Sequence, residues 1–430
     1  MQSRINHRLS VLEAHIQPQQ NSEMEGLSAA FTSAVGVKSP DDIVIVKAVR
    51  TAVGKAKRGS FKNTGPDNLL APVLKHLVQT TPQIKPELYG DVVIGTVLPP
   101  GAQGATEVRV ASLLAGLPDI VPCTTVNRQC SSGLQAIANV ASAIKAGYYD
   151  IGIAGGVESM SSNSMDRWDG GINQEALQHP SAKGCYLNMG QTSENVAERY
   201  GVSRETQDQF AALSHKKAAE AIKAGKFRDE IVPVTVTVED DKGNSKTITV
   251  SQDEGVRADT TAEKLGKLRP VFKEGGSTTA GNSSQVSDGA AACIVTKRSV
   301  AQKLGLPIFG VFRSFAAVGV EPAVMGIGPA VAIPAAVQKA GISLQDVDVY
   351  EINEAFASQA VYCVQKLGIP VEKVNPNGGA IALGHPLGCT GARQTATLLN
   401  ELKRRNARFG VVSMCIGSGM GAAAVYEREN

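Results

Sequence analysis

The sequence predicts an α/β fold made of two similar halves, with a subdomain inserted into the first half. Short apolar runs alternate with helical patterns along the chain, which is typical of α/β proteins with largely buried sheets. Two strand-like segments recur in the second half, since residues 91–94 resemble 346–349 and residues 149–156 resemble 409–414. The chain has 430 residues, 43% of them apolar and 19% charged, which is enough for roughly two or three globular domains.

Seven apolar runs are the candidate strands, and two segments carry helical spacing. The first run follows Pro40 and ends before Gly54. The helical spacing of apolar residues is clearest over residues 134–144 and 392–402. The predicted strands cover residues 41–46, 91–95, 149–154, 290–296, 308–312, 347–352 and 409–415.

These patterns divide the chain into three parts. Residues 1–40 are rich in Gln, Ser, His and Asn, and we expect a targeting or disordered N-terminal segment there. Residues 41–298 form the predicted N-terminal half and residues 299–430 the C-terminal half. The inserted loop subdomain covers about residues 157–289, and insertions of that length usually have a functional role.

The insertion carries its own secondary-structure signals. We expect polar helices near residues 190–225. Apolar and polar residues alternate over 232–238 and 246–251, and Asp-Lys-Gly-Asn at 241–244 between them predicts the turn of a hairpin.

Composition excludes several classes of protein. The 43 basic and 40 acidic residues give a net charge of +3, too balanced for a nucleic-acid-binding surface. No apolar stretch is long enough and free enough of charges and prolines to span a membrane. The seven cysteines are scattered and form no Cys-x-x-Cys pair, so neither a metal site nor a disulfide framework is indicated.

Cys130 is the candidate nucleophile. It lies in Asn-Arg-Gln-Cys-Ser-Ser-Gly, immediately before a helical pattern. The N-terminus of a helix offers free N–H groups and the positive end of the dipole, and both favour a thiolate. The alternative is an inert buried cysteine, which is the commoner state of this residue in protein cores.

His385 is the candidate base. It is one of six histidines and lies in Asn-Gly-Gly-Ala-Ile-Ala-Leu-Gly-His-Pro-Leu-Gly, where the surrounding glycines predict an unusual backbone. A histidine held in such a loop can accept a proton during catalysis. The alternative is a turn histidine whose ring is satisfied by local hydrogen bonds.

Two further segments carry candidate residues. Cys415 ends a predicted strand and enters a glycine-rich loop, whose N–H groups can approach a developing oxyanion. The alternative is a phosphate-binding glycine loop with an uninvolved cysteine. Asn353 follows the strand at 347–352, where it is either a helix N-cap or a side chain that fixes a water at the edge of the sheet.

Together these four segments resemble the thiolase family, and within it the degradative 3-ketoacyl-CoA thiolases of peroxisomes. The resemblance extends from Asp41 to Glu427 and implies the thiolase fold, in which two mixed α/β halves pack in αβαβα layers. It is strongest over residues 126–136, 189–199, 278–292, 353–360, 379–393 and 413–421.

The resemblance implies a role for each candidate. Cys130 would accept the acyl group, and His385 would take the proton of its thiol. Cys415 would act as acid and base on the α-carbon of the acetyl unit. Asn353 would hold a water that forms one oxyanion hole with His385, and the N–H groups of Cys130 and Gly417 would form a second.

The resemblance also implies an activity. A 3-ketoacyl-CoA thiolase is an acyltransferase that uses CoA to cleave 3-ketoacyl-CoA into acetyl-CoA and a shortened acyl-CoA, the last step of fatty acid β-oxidation. CoA is then a substrate, and no cofactor is expected. The alternative is a short-chain acetoacetyl-CoA thiolase that works toward condensation. A homodimer is expected, with a tetramer as the other possibility.

The insertion would supply most of a trough for CoA. Leu268 and Phe272 could instead belong to the core of the subdomain, and Arg257 could be a surface charge. Acetoacetyl-CoA-preferring relatives often carry His where Asn188 stands, so Asn favours the broad-chain degradative branch. The residues implied to contact CoA are Asn188, Met189, Arg257, Leu268, Phe272, Ala280 and Ser284 from the insertion, with Ala355 and Phe356 from the core.

Three other functions compete with thiolysis. A decarboxylating ketoacyl synthase would pair the nucleophilic cysteine with two histidines, or with His and Asn, whereas this chain has Cys415 in the second acid–base position. A lipid or sterol carrier without catalysis would lack Cys130, His385 or Cys415, and all three are present. A structural oligomer leaves the glycine-wrapped His385 unexplained.

Residues 8–16 resemble the N-terminal nonapeptide that directs proteins to the peroxisomal matrix, including that of glyoxysomes. The pattern is a basic and an apolar residue, five others, and His followed by an apolar residue, although Ile16 departs from the usual Leu or Ala. A mitochondrial transit peptide is the alternative, and Glu13, Glu23 and Glu25 oppose it. We therefore expect a peroxisomal import receptor among the partners.

Overall fold

The computed structural model describes residues 35–165, 171–239 and 243–429. No helix in these three ranges combines the length and apolarity needed to cross a membrane. The targeting pattern at residues 8–16 and part of the turn at 241–244 lie outside the described residues. The strands are β1 (Ile43–Arg50), β2 (Gly54–Lys55), β3 (Asp91–Gly95), β4 (Cys123–Val126), β5 (Ile151–Ser159), β6 (Val234–Glu239), β7 (Ser245–Val250), β8 (Ser287–Lys297), β9 (Gly310–Gly319), β10 (Val349–Ile352), β11 (Phe409–Ile416) and β12 (Met420–Arg428).

Helices connect most of these strands. The α-helices are α1 (Pro66–Thr80), α2 (Ala105–Leu114), α3 (Ser132–Lys145), α4 (Gln174–Gln178), α5 (Met189–Tyr200), α6 (Arg204–Lys223), α7 (Ala262–Gly266), α8 (Arg298–Lys303), α9 (Gly328–Lys339), α10 (Ala357–Leu367), α11 (Ala380–Leu383) and α12 (Thr390–Arg405).

The strands of both halves are hydrogen-bonded in one succession, β10-β11-β12-β9-β1-β8-β5-β3-β4. The pairing of β1 with β9 links the strands of the first half to those of the second. In the first half β3 runs parallel to β5, β5 antiparallel to β8, and β8 antiparallel to β1. In the second half β10 runs parallel to β11, β11 antiparallel to β12, and β12 antiparallel to β9. The same succession of pairings occurs twice, so the two similar halves inferred from the sequence repeat are confirmed.

Three apolar clusters show how helices and strands form layers. One cluster packs α1 and α2 against one face of β1, β3, β5 and β8. A second lies between the halves and contains Ile137 of α3 and Leu399 of α12, with side chains from β1, β8, β11 and β12. A third packs α9 against β9, β10, β11 and β12. The order is therefore helix, sheet, helix, sheet, helix, with α3 and α12 in the middle.

All seven predicted strand segments contain strand, but β4, β12 and the two-residue strand β2 were not predicted. Strand β12 contains Gly-Ala-Ala-Ala, a composition that favours strands only weakly. It lies between β11 and β9 and is almost completely buried, so tertiary packing decides its conformation. Strand β4 is only four residues long and lies at the edge of the sheet.

The insertion contains helices α5 and α6 and the antiparallel pair β6–β7, where Val234 lies opposite Val250. A buried ion cluster ties this region to β1. Arg50 contacts Glu230 at 2.7 Å and Asp253 at 2.6 Å, and none of the three side chains is exposed. Its guanidinium also lies over the ring of Phe227 at 4.9 Å. Glu230 precedes the hairpin and Asp253 follows it, so Arg50 holds the two ends of the hairpin together.

Replacing Arg50 with Met should destabilise the protein strongly. The substitution leaves two buried carboxylates without their counter-charge, which typically costs about 3–5 kcal/mol. The matched control is Arg199→Met, because Arg199 pairs with Glu321 at 2.7 Å on the surface, where both side chains are nearly half exposed. That control should change the free energy of unfolding by less than about 1 kcal/mol. Urea unfolding measures both variants, and equal losses would contradict the role given to Arg50.

Candidate active site

Cys130 lies in the tight turn between β4 and α3. Gln129 before it has a positive φ of 50°, and the N–H of Ser131 after it donates to the carbonyl of Arg128 at 3.1 Å. Only 9% of Cys130 is exposed. Its own N–H and the N–H of Gly417 face its sulfur and lower the pKa of the thiol. The structure therefore places the two predicted oxyanion donors at the candidate nucleophile.

Burial keeps the Cys130 thiol protonated at rest. Loss of solvent raises its pKa to about 11, the charge of Glu158 adds to that shift, and the two N–H hydrogen bonds only reduce it. The two N–H groups favour the thiolate, as the sequence led us to expect of this turn, but desolvation outweighs them in the resting protein. Such a thiol needs a base at the moment of attack.

His385 lies in the loop between α11 and α12, and its ring tautomer follows from its neighbours. Nδ1 lies 2.6 Å from the hydroxyl oxygen of Thr390, and that hydroxyl donates to the carbonyl of Pro386 at 3.0 Å. The hydroxyl therefore accepts from Nδ1–H, which leaves the lone pair on Nε2. Nε2 lies 3.2 Å from the amide nitrogen of Asn353, which can donate to it.

The imidazole of His385 is neutral at neutral pH. Burial lowers its pKa to about 3, and the positive charge of Arg393 lowers it further. A neutral ring whose Nε2 carries no proton can accept one, as the role of base requires.

Cys415 lies one residue before the end of β11 and is completely buried. Its S–H donates to the side-chain amide oxygen, Oε1, of Gln359 at 3.7 Å. Burial raises the pKa of Cys415 well above its usual value, and negative charge on Cys130 raises it further. The two sulfurs are therefore close enough to interact electrostatically, and Cys415 is a thiol at rest.

The loop after Cys415 is a hairpin turn between two paired strands. Ile416 of β11 pairs with Met420 of β12, so the turn consists of residues 417–419. Gly419 has a φ of 94°, and a Cβ there would come within 2.5 Å of the carbonyl oxygen of Val320. A side chain at this position would therefore displace the turn whose Gly417 N–H reaches Cys130.

Asn353 directly follows β10, and its backbone N–H continues the pairing with Ser413 of β11 at 2.9 Å. It is not a helix N-cap, because α10 begins at Ala357 with Phe356 as its N-cap. Its side-chain oxygen is buried and has no hydrogen-bond partner among the residues that the structure describes. The oxygen can accept a hydrogen bond from a water or a substrate group, while the amide nitrogen contacts His385.

Two apolar clusters bring the catalytic candidates together. Leu387, two residues after His385, packs around Cys130 in a cluster that also contains Met160, Val97 and Leu98. The other cluster surrounds Cys415 and contains Met325, Ala355, Met189 and Phe356. The insertion residue Met189 and the core residues Ala355 and Phe356 therefore line the same site as the catalytic cysteines.

Of the other residues implied for CoA, two contact Phe356 and Ala355 of this site, a third directly precedes Met189, and a fourth is at the surface. Phe272 makes an edge-to-face contact with Phe356 at 6.3 Å between ring centres. The N–H of Ser284 donates to the carbonyl of Ala355 at 2.9 Å. Asn188 caps α5 by accepting from the N–H of Gly190 at 2.8 Å. Ala280 is exposed.

The remaining two implied residues, Leu268 and Arg257, are also at the surface. Leu268 is 41% exposed and Phe272 36% exposed, so neither belongs to a subdomain core. Arg257 is exposed, and its N–H donates to Nδ1 of His215 at 3.1 Å. Arg257 lies outside the two clusters that surround the cysteines.

Three residues of the site were missed by sequence reasoning. Thr390 fixes the tautomer of His385, Gln359 accepts a hydrogen bond from the Cys415 thiol, and Glu158 lies near Cys130. Thr390 occurs within the motif that contains His385, and Gln359 follows the Asn-Glu-Ala-Phe motif, so proximity in sequence could have indicated both. Glu158 lies far from every candidate in sequence and becomes their neighbour only in the folded chain.

Comparison with known proteins identifies the family. Residues 43–299 match the model of the thiolase N-terminal domain, and residues 306–428 match that of the thiolase C-terminal domain. The chain belongs to the thiolase family. This thiolase is 62% identical over 426 residues to the mouse protein named 3-ketoacyl-CoA thiolase A, peroxisomal, covering 98% of this chain and 99% of the mouse protein.

Two further relatives extend the comparison to plants and yeast. The Arabidopsis thaliana protein named 3-ketoacyl-CoA thiolase 2, peroxisomal, is 59% identical over 438 residues, covering 98% of this thiolase and 94% of the relative. The crystal structure of the dimeric peroxisomal thiolase of Saccharomyces cerevisiae superposes with a TM-score of 0.84 at 48% identity. That superposition covers 91% of this thiolase and 99% of the yeast chain.

Alkylation of Cys130 by iodoacetamide should accelerate with pH without reaching a plateau below about pH 10. Because burial raises the pKa of this thiol to about 11, each pH unit below that value should increase the thiolate fraction, and hence the rate, about tenfold. Peptide-resolved mass spectrometry separates Cys130 from the exposed Cys185. A rate that levels off at or below pH 8 would contradict a protonated resting thiol.

Proposed function

We propose that this protein is a 3-ketoacyl-CoA thiolase, which uses CoA to cleave 3-ketoacyl-CoA into acetyl-CoA and a shortened acyl-CoA, the last step of fatty acid β-oxidation. The observation that carries the proposal is the meeting of a buried thiol, a neutral imidazole and a second buried thiol in one site. High identity to proteins named 3-ketoacyl-CoA thiolase supports the same substrate class. CoA enters as a substrate, and we propose no resident cofactor.

In the first step the sulfur of Cys130 attacks the C3 carbonyl of the substrate. A bond forms between sulfur and C3, and the thiol proton passes to the Nε2 lone pair of His385. Because the thiol and the imidazole are both neutral at rest, charge appears only as the new bond forms. Thr390 keeps the transferred proton on the correct side of the ring by occupying Nδ1–H.

Negative charge develops on two different oxygens, and the site offers donors for each. The N–H groups of Cys130 and Gly417 point at the sulfur of Cys130, so they reach the oxyanion on the carbon bonded to that sulfur. The protonated Nε2 of His385 and a water held by Asn353 serve the thioester oxygen of the acetyl unit. The unpartnered buried oxygen of Asn353 supports its role in holding that water.

The C2–C3 bond then breaks, and its electron pair moves to the enolate of acetyl-CoA. Cys415 gives its proton to C2, which releases acetyl-CoA and leaves an acyl group on Cys130. Burial suits Cys415 to this task because a thiol whose pKa is raised stays protonated until the carbanion forms.

The second half of the reaction restores the site. The Cys415 thiolate takes the proton of the CoA thiol, and the CoA sulfur attacks the acyl carbon. The bond to Cys130 breaks, and its sulfur recovers the proton from His385. Such an acyl-enzyme requires ping-pong kinetics, as covalent intermediates do generally.

Of the alternatives, a short-chain acetoacetyl-CoA thiolase is not favoured, because the relatives at 58–62% identity are named 3-ketoacyl-CoA thiolases. A ketoacyl synthase is disfavoured by Cys415, since the second acid–base position holds a thiol within electrostatic reach of Cys130. A non-catalytic carrier would not require the hydrogen bonds that fix His385.

We also propose that the protein forms a homodimer through the edge of the sheet at β4. Strand β4 has no partner on its outer side within the described part of the chain. The neighbouring helix α2 and the loop after it expose apolar side chains that a monomer leaves in water. These side chains are Val110, Leu113, Leu114 and Ile120. The yeast structure that this chain resembles is described as dimeric.

We place the enzyme in the peroxisome, because its relatives from animals and plants are named peroxisomal. Residues 8–16 are the proposed signal for the import receptor, on the basis of their sequence pattern alone.

Thiolysis should be measured first, by loss of absorbance of the magnesium enolate of acetoacetyl-CoA and of a long-chain 3-ketoacyl-CoA after CoA is added. The wild type should cleave both substrates, the longer one faster. Cys130→Ala should reduce the rate by more than about 10³-fold, because the covalent route is lost. Activity on acetoacetyl-CoA alone would move the protein to the short-chain branch, and no activity on either substrate would overturn the proposed function.

Thr390→Val should lower kcat of thiolysis by about 10- to 100-fold, because Nδ1 of His385 loses the acceptor that fixes its tautomer. The matched control is Thr390→Ser, which keeps the hydroxyl and should retain most of the activity. Steady-state kinetics of both variants with CoA and a long-chain substrate provide the comparison. Equal activity of the Val and Ser variants would contradict this role of the hydroxyl.

A further inference from the structure

Glu158 is a buried carboxylate beside the active site, and the thiolysis steps give it no role. It lies near the end of β5, and none of its surface is exposed. Oε2 accepts from the N–H of Val97 at 3.1 Å and from the N–H of Gly388 at 2.9 Å. Oε1 accepts from the N–H of Leu98 at 3.1 Å and lies 3.4 Å from the hydroxyl of Thr96. One side chain therefore binds backbone groups of two separate segments.

Both segments line the pocket around Cys130. Residues 96–98 follow β3, whereas Gly388 belongs to the loop that carries His385. Val97 and Leu98 from the first segment and Leu387 from the second pack in the cluster around Cys130. A displacement of either segment would therefore change the surroundings of Cys130, and a displacement of the second would also move the loop of the base.

Direct backbone contact places Gly388 where the carboxylate can reach it. A Cβ on Gly388 would come within 2.7 Å of the carbonyl oxygen of Gly95 and of the Cα of Thr96. A Cβ on Gly156, two residues before Glu158, would overlap the carbonyl oxygen of Gly388. The loop is thus in backbone contact with the ends of β3 and β5, and its N–H points at the carboxylate.

The partners favour an ionised carboxylate, and their hydrogen bonds oppose burial, which raises the pKa of Glu158 to about 7. All three backbone partners are N–H donors, and an ionised carboxylate has acceptor sites on both oxygens and no donor of its own. An amide in the same place would direct an NH₂ group at one or more of these N–H groups. A buried donor left without an acceptor in this way costs free energy and shifts the backbone.

We propose that Glu158 is a positioning residue for thiolysis, whose carboxylate holds residues 97–98 and the His385 loop at a fixed separation around Cys130. The role rests on the proposed function, because it concerns the geometry of that reaction. Glu158 touches neither reacting sulfur and acts through the backbone that it binds.

The charge of Glu158 supplies an independent readout. Its negative charge contributes to the raised pKa of Cys130, and it also raises the pKa of Cys389 in the same loop. Removing that charge should therefore lower the pKa of Cys130 and speed its alkylation at a given pH. The split between kcat and KM separates positioning from stability, because a side chain that only stabilised the fold would leave the kcat of the folded enzyme unchanged.

Two variants separate geometry from charge. Glu158→Asp keeps the charge but is one methylene shorter, so it cannot span Gly388 and residues 97–98 together. It should lower kcat by about 10- to 100-fold, with the KM for CoA within about twofold of wild type and the alkylation profile of Cys130 unchanged. Glu158→Gln should lower kcat similarly and move the alkylation profile to lower pH by at least about half a unit.

Glu194→Gln is the matched control. Glu194 is also buried and accepts from the N–H groups of Ser277 and Thr278. It therefore stabilises the insertion and not the segments that surround Cys130. Its substitution should lower the thermal midpoint of unfolding as the Glu158 variants do, without moving the alkylation profile.

Four outcomes decide the matter. Loss of kcat in both Glu158 variants, with the profile moved only by Glu158→Gln, supports the proposal. It is overturned if both variants keep kcat within about twofold of wild type, or if the profile of Glu158→Gln coincides with those of wild type and Glu194→Gln. If wild type itself cleaves no 3-ketoacyl-CoA, the proposed function fails and the positioning role fails with it. That result differs from a loss of activity confined to the variants, which concerns the positioning role alone.

Discussion

The backbone contact between Gly388 and the first half of the chain is the constraint on which the active site depends. A Cβ on Gly156 would overlap the carbonyl oxygen of Gly388, and a Cβ on Gly133 would come within 2.6 Å of the same atom. Gly133 lies in the first turn of the helix that follows Cys130, so this contact joins the turn of the nucleophile to the loop of His385. The layered packing brings the two halves near each other, but this glycine-to-glycine contact sets the distance at which their catalytic groups meet.

Burial then determines the protonation of those groups. Cys130, with a pKa raised to about 11, and His385, with a pKa lowered to about 3, are both neutral at physiological pH. In the proposed reaction, the proton that Cys130 gives up returns to it from His385, and the proton that Cys415 gives to carbon is replaced from the CoA thiol. Over a full cycle no proton is taken from or released to water, so a site closed to solvent can still turn over.

Much of the fold could be predicted from the sequence because apolar runs mark buried strands, and β3 at Asp91–Gly95 was located correctly to the residue. Strand β12 could not be predicted, since its alanines form a strand only between β11 and β9. Cys130, His385 and Cys415 stood out because glycines surround them or a helix begins beside them. The raised pKa of Cys130 was not predicted, because desolvation by distant segments is invisible in the local sequence. Glu158 was missed for the same reason, since its partners are contributed by other parts of the chain.

The three-residue turn between β11 and β12 has a consequence for how substrate preference can vary. Cys415, the proposed acid for the leaving carbon, and Gly417, whose N–H group faces Cys130, are two residues apart on one hairpin. Both half-reactions therefore depend on the position of the same short piece of backbone. A displacement of this turn that suited one acyl chain would misplace Cys415 and Gly417 for every other chain. Tolerance of different tail lengths has to arise in the side chains that the insertion places around the entrance, which can vary while the turn stays fixed.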